Sequence, residues 1–345
     1  MVTINFAGKK IFEFKDNNIM QVIGQNEELK RLIINIYSKI LNGYRFSDID
    51  VEAMNGYFPE IIKKGKKYNK GDILVIEISD IQDIIEQLQV NRNSILKKYL
   101  LSLGAELSIN KTLAEIEESL IGLTIELDDL MGKKFSTGDI NIITNISHMS
   151  FKKIIKSFID IELINYDGQR KSPWLLRDKE LIDLFFNIIL LLVEKNHNIT
   201  FIINGLDTNI EITTYYYLVD KIFNLTKTQP NLKVWLFPKT RRGVHMDYKI
   251  FEDTYILNED VFTMGDFDIT YESLCRNYPD NNYPTKIQVL NTLLRVFPFH
   301  YQEKLYHSSK EAVIMRIFLE LLHKDSIKLE NTKLSSLETR FLTSS

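Results

Sequence analysis

Gly24 and Lys30 have the spacing of the first glycine and the lysine in a glycine-rich phosphate loop. Gly24 directly follows the short apolar run Ile19–Ile23. In that motif the backbone cradles phosphates, the lysine reaches the terminal phosphates, and a following Ser or Thr holds magnesium. Here Leu29 stands at the second glycine position and Arg31 stands at the magnesium position. The spacing therefore predicts a phosphate-loop type of turn that lacks two of its working groups.

The acidic residues near this loop argue further against a nucleotide. Glu27 and Glu28 would place negative charge beside a bound phosphate. The acid expected at the end of the partner strand is also missing, because the apolar run 199–203 is followed by Asn204 and the nearest acid is Asp207. We therefore expect no ATP hydrolysis, in a P-loop-like sheet without its catalytic groups.

No other pattern in the sequence predicts an active site. There is no nucleophile-elbow motif, the histidines lack zinc-binding spacing, and Cys275 lies in no catalytic signature. The expectation is a protein that is not an enzyme and has no catalytic residues.

Clusters of basic residues are the second feature with functional potential. A lysine run broken by Gly65 and followed by Tyr68 offers phosphate contacts without base reading, although such runs are often merely solvated loops. Three further clusters strengthen a prediction of sequence-independent binding to double-stranded DNA. The candidate DNA-binding residues are Lys63, Lys64, Lys66, Lys67, Lys70, Lys133, Lys134, Lys152, Lys153, Lys156, Lys239, Arg241 and Arg242.

An acidic group offers a weaker candidate for a metal site. Glu126, Asp128 and Asp129 lie near the end of a predicted helix, with Asp139 one loop further on. Carboxylate oxygens suit a hard cation such as calcium. Because no EF-hand pattern is present, we favour a solvated helix end over a structural calcium site.

Composition and charge limit the class of protein. The 345 residues suggest about two domains, and 44% hydrophobic with 26% charged residues is typical of a folded chain. The net charge of −3 excludes an overall basic nucleic-acid binder, so a polyanion site needs local clusters. One cysteine, no export signal and no apolar run of 18 residues predict a cytoplasmic protein without a membrane partner.

The hydrophobic pattern predicts an α/β fold with a largely parallel sheet, interrupted by an inserted helical block. Strands are expected at 2–6, 11–14, 19–23, 73–78, 199–203, 233–237 and 254–257. The predicted divisions are residues 1–80 for the first part of an αβ head, 81–164 for a helical stalk, 165–264 for the second part of the head, and 265–345 for a helical C-terminal extension.

Two apolar stripes predict contacts beyond a single helix. Leu113, Ile116, Leu120, Leu123, Leu127 and Leu130 form the alternating three-and-four spacing of a coiled-coil seam, which predicts an antiparallel hairpin with the preceding helix at 81–103. In the extension, Ser308 and Glu311 predict a capping box. The second stripe should pack on the head or on a neighbouring subunit, and its candidate oligomer contacts are Val313, Ile314, Ile317, Phe318, Leu321 and Leu322.

The order of these features resembles the ring-forming adaptation protein of type II-A CRISPR systems, the Csn-two family, in its long form. The similarity covers residues 1 to about 264 and is diffuse, so its specificity comes from the order of the motifs. It is carried by the stretches ILVIEISD at 73–80, LFFNIIL at 184–190, ITFIING at 199–205 and LNEDVF at 257–262.

The resemblance implies a homotetrameric ring that takes double-stranded DNA by its ends, without cutting it, during spacer acquisition in antiviral defence. Its partners would be the integrase proteins and the effector nuclease of the same system. Members of the family can also hold calcium at acidic positions in the stalk, for which Glu126, Asp128 and Asp129 are the local candidates. Two alternatives remain open: a P-loop ATPase or kinase-like enzyme with an aberrant loop, and a coiled-coil interaction scaffold.

Overall fold

The computed structural model describes residues 1–68, 73–90, 94–135, 150–158, 162–164, 167–299 and 308–322. The chain forms two compact units, the first made of Met1–Ile81 with Asn196–Ser345 and the second of Gln82–Lys195. In chain order the strands are β1 (Val2–Phe6), β2 (Lys9–Phe14), β3 (Ile19–Ile23), β4 (Glu60–Lys63), β5 (Lys66–Lys67), β6 (Leu74–Ile78), β7 (Leu163–Ile164), β8 (Arg170–Lys171), β9 (Ile199–Asn204), β10 (Leu232–Phe237), β11 (Thr254–Leu257) and β12 (Val261–Thr263). The α-helices are α1 (Glu27–Leu41), α2 (Asp48–Ala53), α3 (Ile81–Gln87), α4 (Ile95–Leu103), α5 (Leu107–Phe135), α6 (Phe151–Phe158), α7 (Asp178–Glu194), α8 (Ile212–Thr228), α9 (Phe267–Asn277), α10 (Lys286–Asn291) and α11 (Ser309–Leu321).

The first unit is built around a six-stranded sheet with the order β12-β11-β3-β10-β9-β6. Its strands pair in parallel, except that β12 runs antiparallel to β11. Strands covered on both faces need continuous apolar runs, and β9 and β10 are almost entirely buried. The predicted α/β fold with a largely parallel sheet is therefore confirmed.

A smaller antiparallel sheet, with the order β2-β1-β4-β5, lies in the same unit. Apolar side chains of β1 and β2 share one core with α1 and the central strands. In this core the Trp235 ring lies 3.9 Å from the Tyr37 ring and 4.8 Å from the Phe14 ring, measured between centroids. The small sheet thus gives the lysine-bearing β4–β5 hairpin a fixed base.

Asn42, the residue after α1, closes the edge of the central sheet. Its amide nitrogen donates to the Val75 carbonyl at 3.2 Å, and its carbonyl oxygen accepts from the Val75 N–H at 3.3 Å. These two backbone groups belong to the edge strand β6 and would otherwise lack a partner. One side chain therefore does what another strand would do at this position.

The second unit is helical, and it differs from the predicted stalk in two respects. The single helix expected at 81–103 is divided into α3 and α4, with Ser94 capping α4 through the Lys97 N–H at 3.3 Å. The unit also extends past 164 to Lys195, because α7 packs against α4. The apolar pattern of α7 alone did not show which unit would bury it.

The predicted coiled-coil hairpin is not formed within the described part of the chain. Leu123 and Leu130 on the α5 seam are 50% and 57% exposed. At 1.5 Å per residue, α5 is about 43 Å long and α4 only about 13 Å, so α4 is too short to cover this seam. Ile95 of α4 is buried, and α4 packs against α6 and α7.

The C-terminal extension packs as helices onto the β11 side of the first unit. It consists of α9, α10, a π-helix at Thr292–Val296, a 3₁₀ turn at Phe297–Phe299, and α11. Its apolar residues share a core with Ile256 of β11. The capping box is confirmed, since Glu311 accepts from the Ser308 N–H at 2.8 Å and Ser308 caps the Glu311 N–H.

Four of the six predicted oligomer contacts in the α11 stripe are buried within the single chain, so this prediction is corrected. Val313, Ile314, Ile317 and Phe318 are at most 5% exposed within the single chain, and the Phe318 ring packs edge-on against Phe297. These side chains have no surface left for a neighbouring subunit. Leu322 packs partly buried on the same core, and Leu321 is 39% exposed.

Candidate functional site

The loops that follow β3, β9 and β10 lie at one edge of the central sheet. These three strands are neighbours and run in parallel, so their carboxyl ends meet there. This edge is where open α/β sheets bind ligands. A cavity of about 620 Å³ lies at it, lined by Glu27, Glu28, Lys30, Arg31, Asn204 and Lys239.

Gly24 lets the loop after β3 approach the end of β11. Its φ is +107°, and a Cβ there would overlap the Leu257 carbonyl oxygen. The Asn26 N–H donates to that same carbonyl at 2.9 Å, and the Gln25 N–H donates to the Asn258 side chain at 2.9 Å. The backbone donors that a phosphate loop would offer are therefore used inside the protein at these two positions.

The buried Lys30 side chain is likewise held by its own loop. Its ammonium donates to the Gly24 carbonyl at 2.6 Å and to the Glu27 carboxylate at 2.7 Å, and the residue is 2% exposed. Burial lowers the pKa of Lys30, while the hydrogen bond and charge of Glu27 oppose this shift. Glu27 thus occupies the position, relative to the lysine, where a phosphate oxygen would be needed.

The first turn of α1 is also satisfied from within. The Asn26 side chain accepts from the Leu29 N–H at 2.9 Å. Glu27 and Glu28 add two carboxylates at the same helix end, where the helix dipole favours negative charge. Arg31, at the magnesium position of the motif, is exposed. The arrangement stabilises the loop without a nucleotide.

Asp207, the nearest acid to the partner strand, holds a neighbouring loop. Its carboxylate accepts from the Lys239 N–H at 3.1 Å, the Thr240 N–H at 2.7 Å and the Thr240 hydroxyl at 2.6 Å. Asn204, at the end of β9, donates to Glu77 at 3.1 Å. Asp207 is thus not at the position of the missing acid, and its carboxylate instead positions the backbone of a basic segment.

The residues Lys239, Thr240, Arg241 and Arg242 after β10 are called the basic loop from here on. Lys239 and Arg242 are exposed and Arg241 is half-buried. Within the described residues none of the three cations forms a salt bridge. This is one of the four predicted basic clusters, and it lies beside the candidate cavity through Lys239.

The lysine run forms the β4–β5 hairpin, and two of its members are neutralised. Lys63 pairs with Asp16 at 2.5 Å and Lys67 pairs with Glu60 at 2.5 Å. Lys64 and Lys66 lie exposed at the turn and form no ion pair in the described structure. The hairpin therefore offers fewer available cations than its sequence suggests, and Lys70 lies outside the described residues.

The remaining predicted basic residues belong to the second unit. On α6, Ile155 is buried while Lys152, Lys153 and Lys156 are exposed. Lys133 and Lys134 fall in the last turns of α5, and their side chains lie outside the described part.

The acidic residues predicted as calcium candidates are spread around one helix. Glu126, Asp128 and Asp129 lie on α5, where residues advance by about 100° each around the axis. Among the described residues no three His, Cys, Asp or Glu side chains come together to hold a metal ion. Asp139 lies outside this part of the chain. Over the same residues, no helix has the length and apolar character needed to cross a membrane.

Together the fold and this edge define an α/β protein whose largely parallel sheet carries an inserted helical unit, and whose loop after β3 is held by hydrogen bonds within the protein. The model of the family CRISPR-associated protein Csn2 subfamily St matches residues 4–343, and the chain belongs to this family. The resemblance seen in the sequence is thereby confirmed, but it does not end near residue 264, because the family match includes the C-terminal extension. Membership implies a CRISPR-associated role that involves nucleic acid.

A solved structure is similar to the chain over nearly its whole length. The crystal structure of Stu0660 of Streptococcus thermophilus gives a TM-score of 0.80 at 21% sequence identity, covering 99% of both chains. At this identity the likeness shows the fold. A search of curated proteins gave no match.

Proposed function

We propose that this protein is a non-catalytic homotetrameric ring that binds the ends of double-stranded DNA without sequence preference during CRISPR spacer acquisition. Family membership gives the CRISPR setting. The observation that carries the DNA-binding proposal is a set of exposed cations without ion pairs in the described structure: Lys64, Lys66, Lys239 and Arg242. Such cations contact phosphates and do not read bases.

The head is proposed to be a P-loop type of fold that has lost nucleotide binding. This proposal is supported by the hydrogen bonds of the Lys30 ammonium to Gly24 and Glu27. It is also supported by Asp207, whose carboxylate holds the basic loop. A fold of this type without nucleotide chemistry suits a protein that holds DNA and leaves cutting and joining to the integrase proteins and effector nuclease of the same system.

The long helix α5 is proposed to form its coiled coil between subunits. Its seam leucines at 123 and 130 are at least half exposed in the single chain. An apolar seam of this length is unfavourable in water, and an antiparallel partner from a second copy would cover it. The same observation favours the scaffold alternative, which differs from the ring by lacking DNA binding.

Gel-shift titration of linear duplex against a covalently closed circle of the same sequence tests the ring. A ring must be threaded by a free end, so we expect stable binding to linear duplex and little binding to the circle. Solution mass is measured alongside, with a tetramer of 40.4 kDa subunits expected. Equal affinity for both DNA forms refutes threading, and an oligomer that binds neither form favours the scaffold.

A further inference from the structure

We propose that the basic loop is a prebuilt phosphate-contact element, and that Arg295 of the C-terminal extension is a positioning residue for it. This inference rests on the proposed function, because the phosphates would be those of the bound DNA. It assigns to the extension a part in DNA binding through the loop's backbone.

The basic loop is fixed from its start by β9 and α8. Asp207 accepts from the N–H groups of Lys239 and Thr240. Tyr215 donates its hydroxyl to the Gly243 carbonyl at 2.8 Å, and Tyr216 donates to the Arg242 carbonyl at 2.5 Å. Gly243 is required here, because a Cβ would overlap the Asp207 carboxylate. The loop backbone therefore has little freedom to lose when a ligand binds.

The far end of the loop is fixed by Arg295 and by the central sheet. Arg295 lies in the π-helix, and its Nη2 donates to the Val244 carbonyl at 2.9 Å. Val244 is fully buried in the core of the extension. The next residue, His245, is held by Gln21 of β3, which accepts from its N–H at 2.8 Å. Arg295 thus forms a polar link between the extension and the segment that carries the cations.

The Thr240 hydroxyl is held by Asp207, but the three cationic side chains of the loop form no ion pair within the described residues. Arg241 has two buried guanidinium nitrogens, Nε and Nη2, that make no hydrogen bond. It can turn towards a phosphate without breaking a bond that it already makes. Lys63 and Lys67 on the β4–β5 hairpin differ, because a phosphate would have to displace Asp16 or Glu60. The observations therefore favour the basic loop over Lys63 and Lys67 as a phosphate contact.

The first test needs no DNA. Trypsin cleaves after Arg241 and Arg242 only when the loop opens, so cleavage rates followed by mass spectrometry report how firmly it is held. Arg295→Ala is expected to raise the rate at these two sites at least fivefold. Arg276→Ala is the matched control, since it removes an exposed arginine from the same extension. An unchanged rate in Arg295→Ala overturns the positioning role.

The second test is a double-mutant cycle on linear duplex. Arg241→Ala/Arg242→Ala should weaken binding about tenfold and reduce the salt slope by about one unit for each phosphate that is no longer neutralised. Arg295→Ala should weaken binding severalfold in the wild-type background and have no further effect in the loop variant. Arg276→Ala should leave affinity unchanged. If Arg295→Ala weakens duplex affinity by the same factor in the loop variant as in the wild type, the two effects are independent and the proposal is overturned.

The outcomes separate this inference from the proposed function. If the wild-type protein binds no duplex, the proposed function and the phosphate role both fail, while the trypsin rates still decide whether Arg295 holds the loop. If the wild type binds duplex and the loop variant binds equally well, only the phosphate role of the loop fails. Where Arg295→Ala does not fold, Arg295→Lys replaces it, because it keeps the charge and most of the aliphatic stem, and an intermediate cleavage rate is expected.

Discussion

The ammonium of Lys30 lies 2.7 Å from a carboxylate oxygen of Glu27, one turn earlier in the same helix. Lys30 is buried and Glu27 is half-exposed, so the pair closes the loop from its solvent side. A lysine in a working phosphate loop must instead present its ammonium to the ligand. Here the loop supplies its own anion.

We therefore predict that ATP does not bind. Millimolar ATP with magnesium should leave the melting temperature of the wild-type protein unchanged, because binding would require Lys30 to leave two close acceptors. Isothermal calorimetry provides the second measurement. Micromolar affinity that disappears in Lys30→Ala would contradict the prediction.

Glu27→Ala should destabilise the protein by about 1–2 kcal/mol, because it removes one of the two partners of a buried ammonium. Glu28→Ala is the matched control: its carboxylate is exposed and contacts no buried cation in the described structure. That control should change stability by no more than about 0.5 kcal/mol. Urea unfolding followed by tryptophan fluorescence measures both. Equal losses of unfolding free energy would show that the Lys30–Glu27 pair contributes no more to stability than the exposed Glu28.

The lysine hairpin should respond differently at its paired and unpaired positions. Lys64→Glu/Lys66→Glu should weaken duplex binding and lower the salt slope without changing the melting temperature, because both side chains are exposed and unpaired in the described structure. Lys63→Glu should lower the melting temperature, because it places a carboxylate against Asp16. An unchanged salt slope in the Lys64/Lys66 variant would show that these two hairpin lysines do not contact DNA phosphates.

The exposed seam of α5 predicts a change in oligomer mass. Leu123→Asp/Leu130→Asp should yield a smaller species in multi-angle light scattering, because a charged seam cannot be buried against a second helix. Ala114→Asp adds a charge to the opposite side of the same helix and should leave the mass unchanged. If the Leu123/Leu130 variant retains the wild-type mass, α5 is not the oligomer contact.

Asp16 should give the protein a stability component that depends on pH. Burial alone would raise its pKa, but hydrogen bonds from Lys233 and Lys63 outweigh this and leave the pKa lowered. A carboxyl with a lowered pKa stabilises the fold above its unfolded pKa, near 3.9, and this stabilisation disappears as pH falls through the folded value. Asp16→Asn should therefore cost about 1 kcal/mol at pH 7, after allowing for partial exposure.

The cost of Asp16→Asn should begin to shrink as the pH falls below about 4, the unfolded pKa of the carboxyl, and should shrink further as the pH approaches the lowered folded pKa. Melting curves from pH 3 to pH 7 measure this convergence. Glu259→Gln, at an exposed position outside the Asp16 network, should show no such trend. A cost for Asp16→Asn that does not vary with pH would show that the lysines stabilise the fold by packing alone.

The sequence predicted the five parallel strands of the central sheet, because buried parallel strands are short apolar runs with recognisable ends, but it missed the antiparallel edge strand β12. It predicted a helical C-terminal extension without locating α9. Asp266 capping the Ile269 N–H was the available signal, and the alternation of polar and aromatic residues in this helix obscured its period. Burial of the α11 stripe was expected. The surface that buries it depends on tertiary packing, which cannot be read from the hydrophobic periodicity of one helix.

The sequence indicated which residue types occur in the loop after β3, but not which residues form hydrogen bonds with one another. Leu29 and Arg31 alone indicated a phosphate loop without function. The bond between Lys30 and Glu27 follows from helix geometry, which brings residues three apart together. In contrast, Asp207 with Thr240 and Arg295 with Val244 join residues 33 and 51 positions apart. Only the folded topology brings such distant residues into contact.

Asn42 at the edge of β6 has a consequence for how copies of this protein meet. An open strand edge lets identical chains add to one another without limit, in the manner of a growing fibril. Asn42 forms hydrogen bonds with both outward backbone groups of Val75. These groups are then not free to pair with a strand of another chain at that point. Assembly through side-chain surfaces can then stop at a defined number of subunits, because such contacts close by symmetry and leave no end to which another copy can be added.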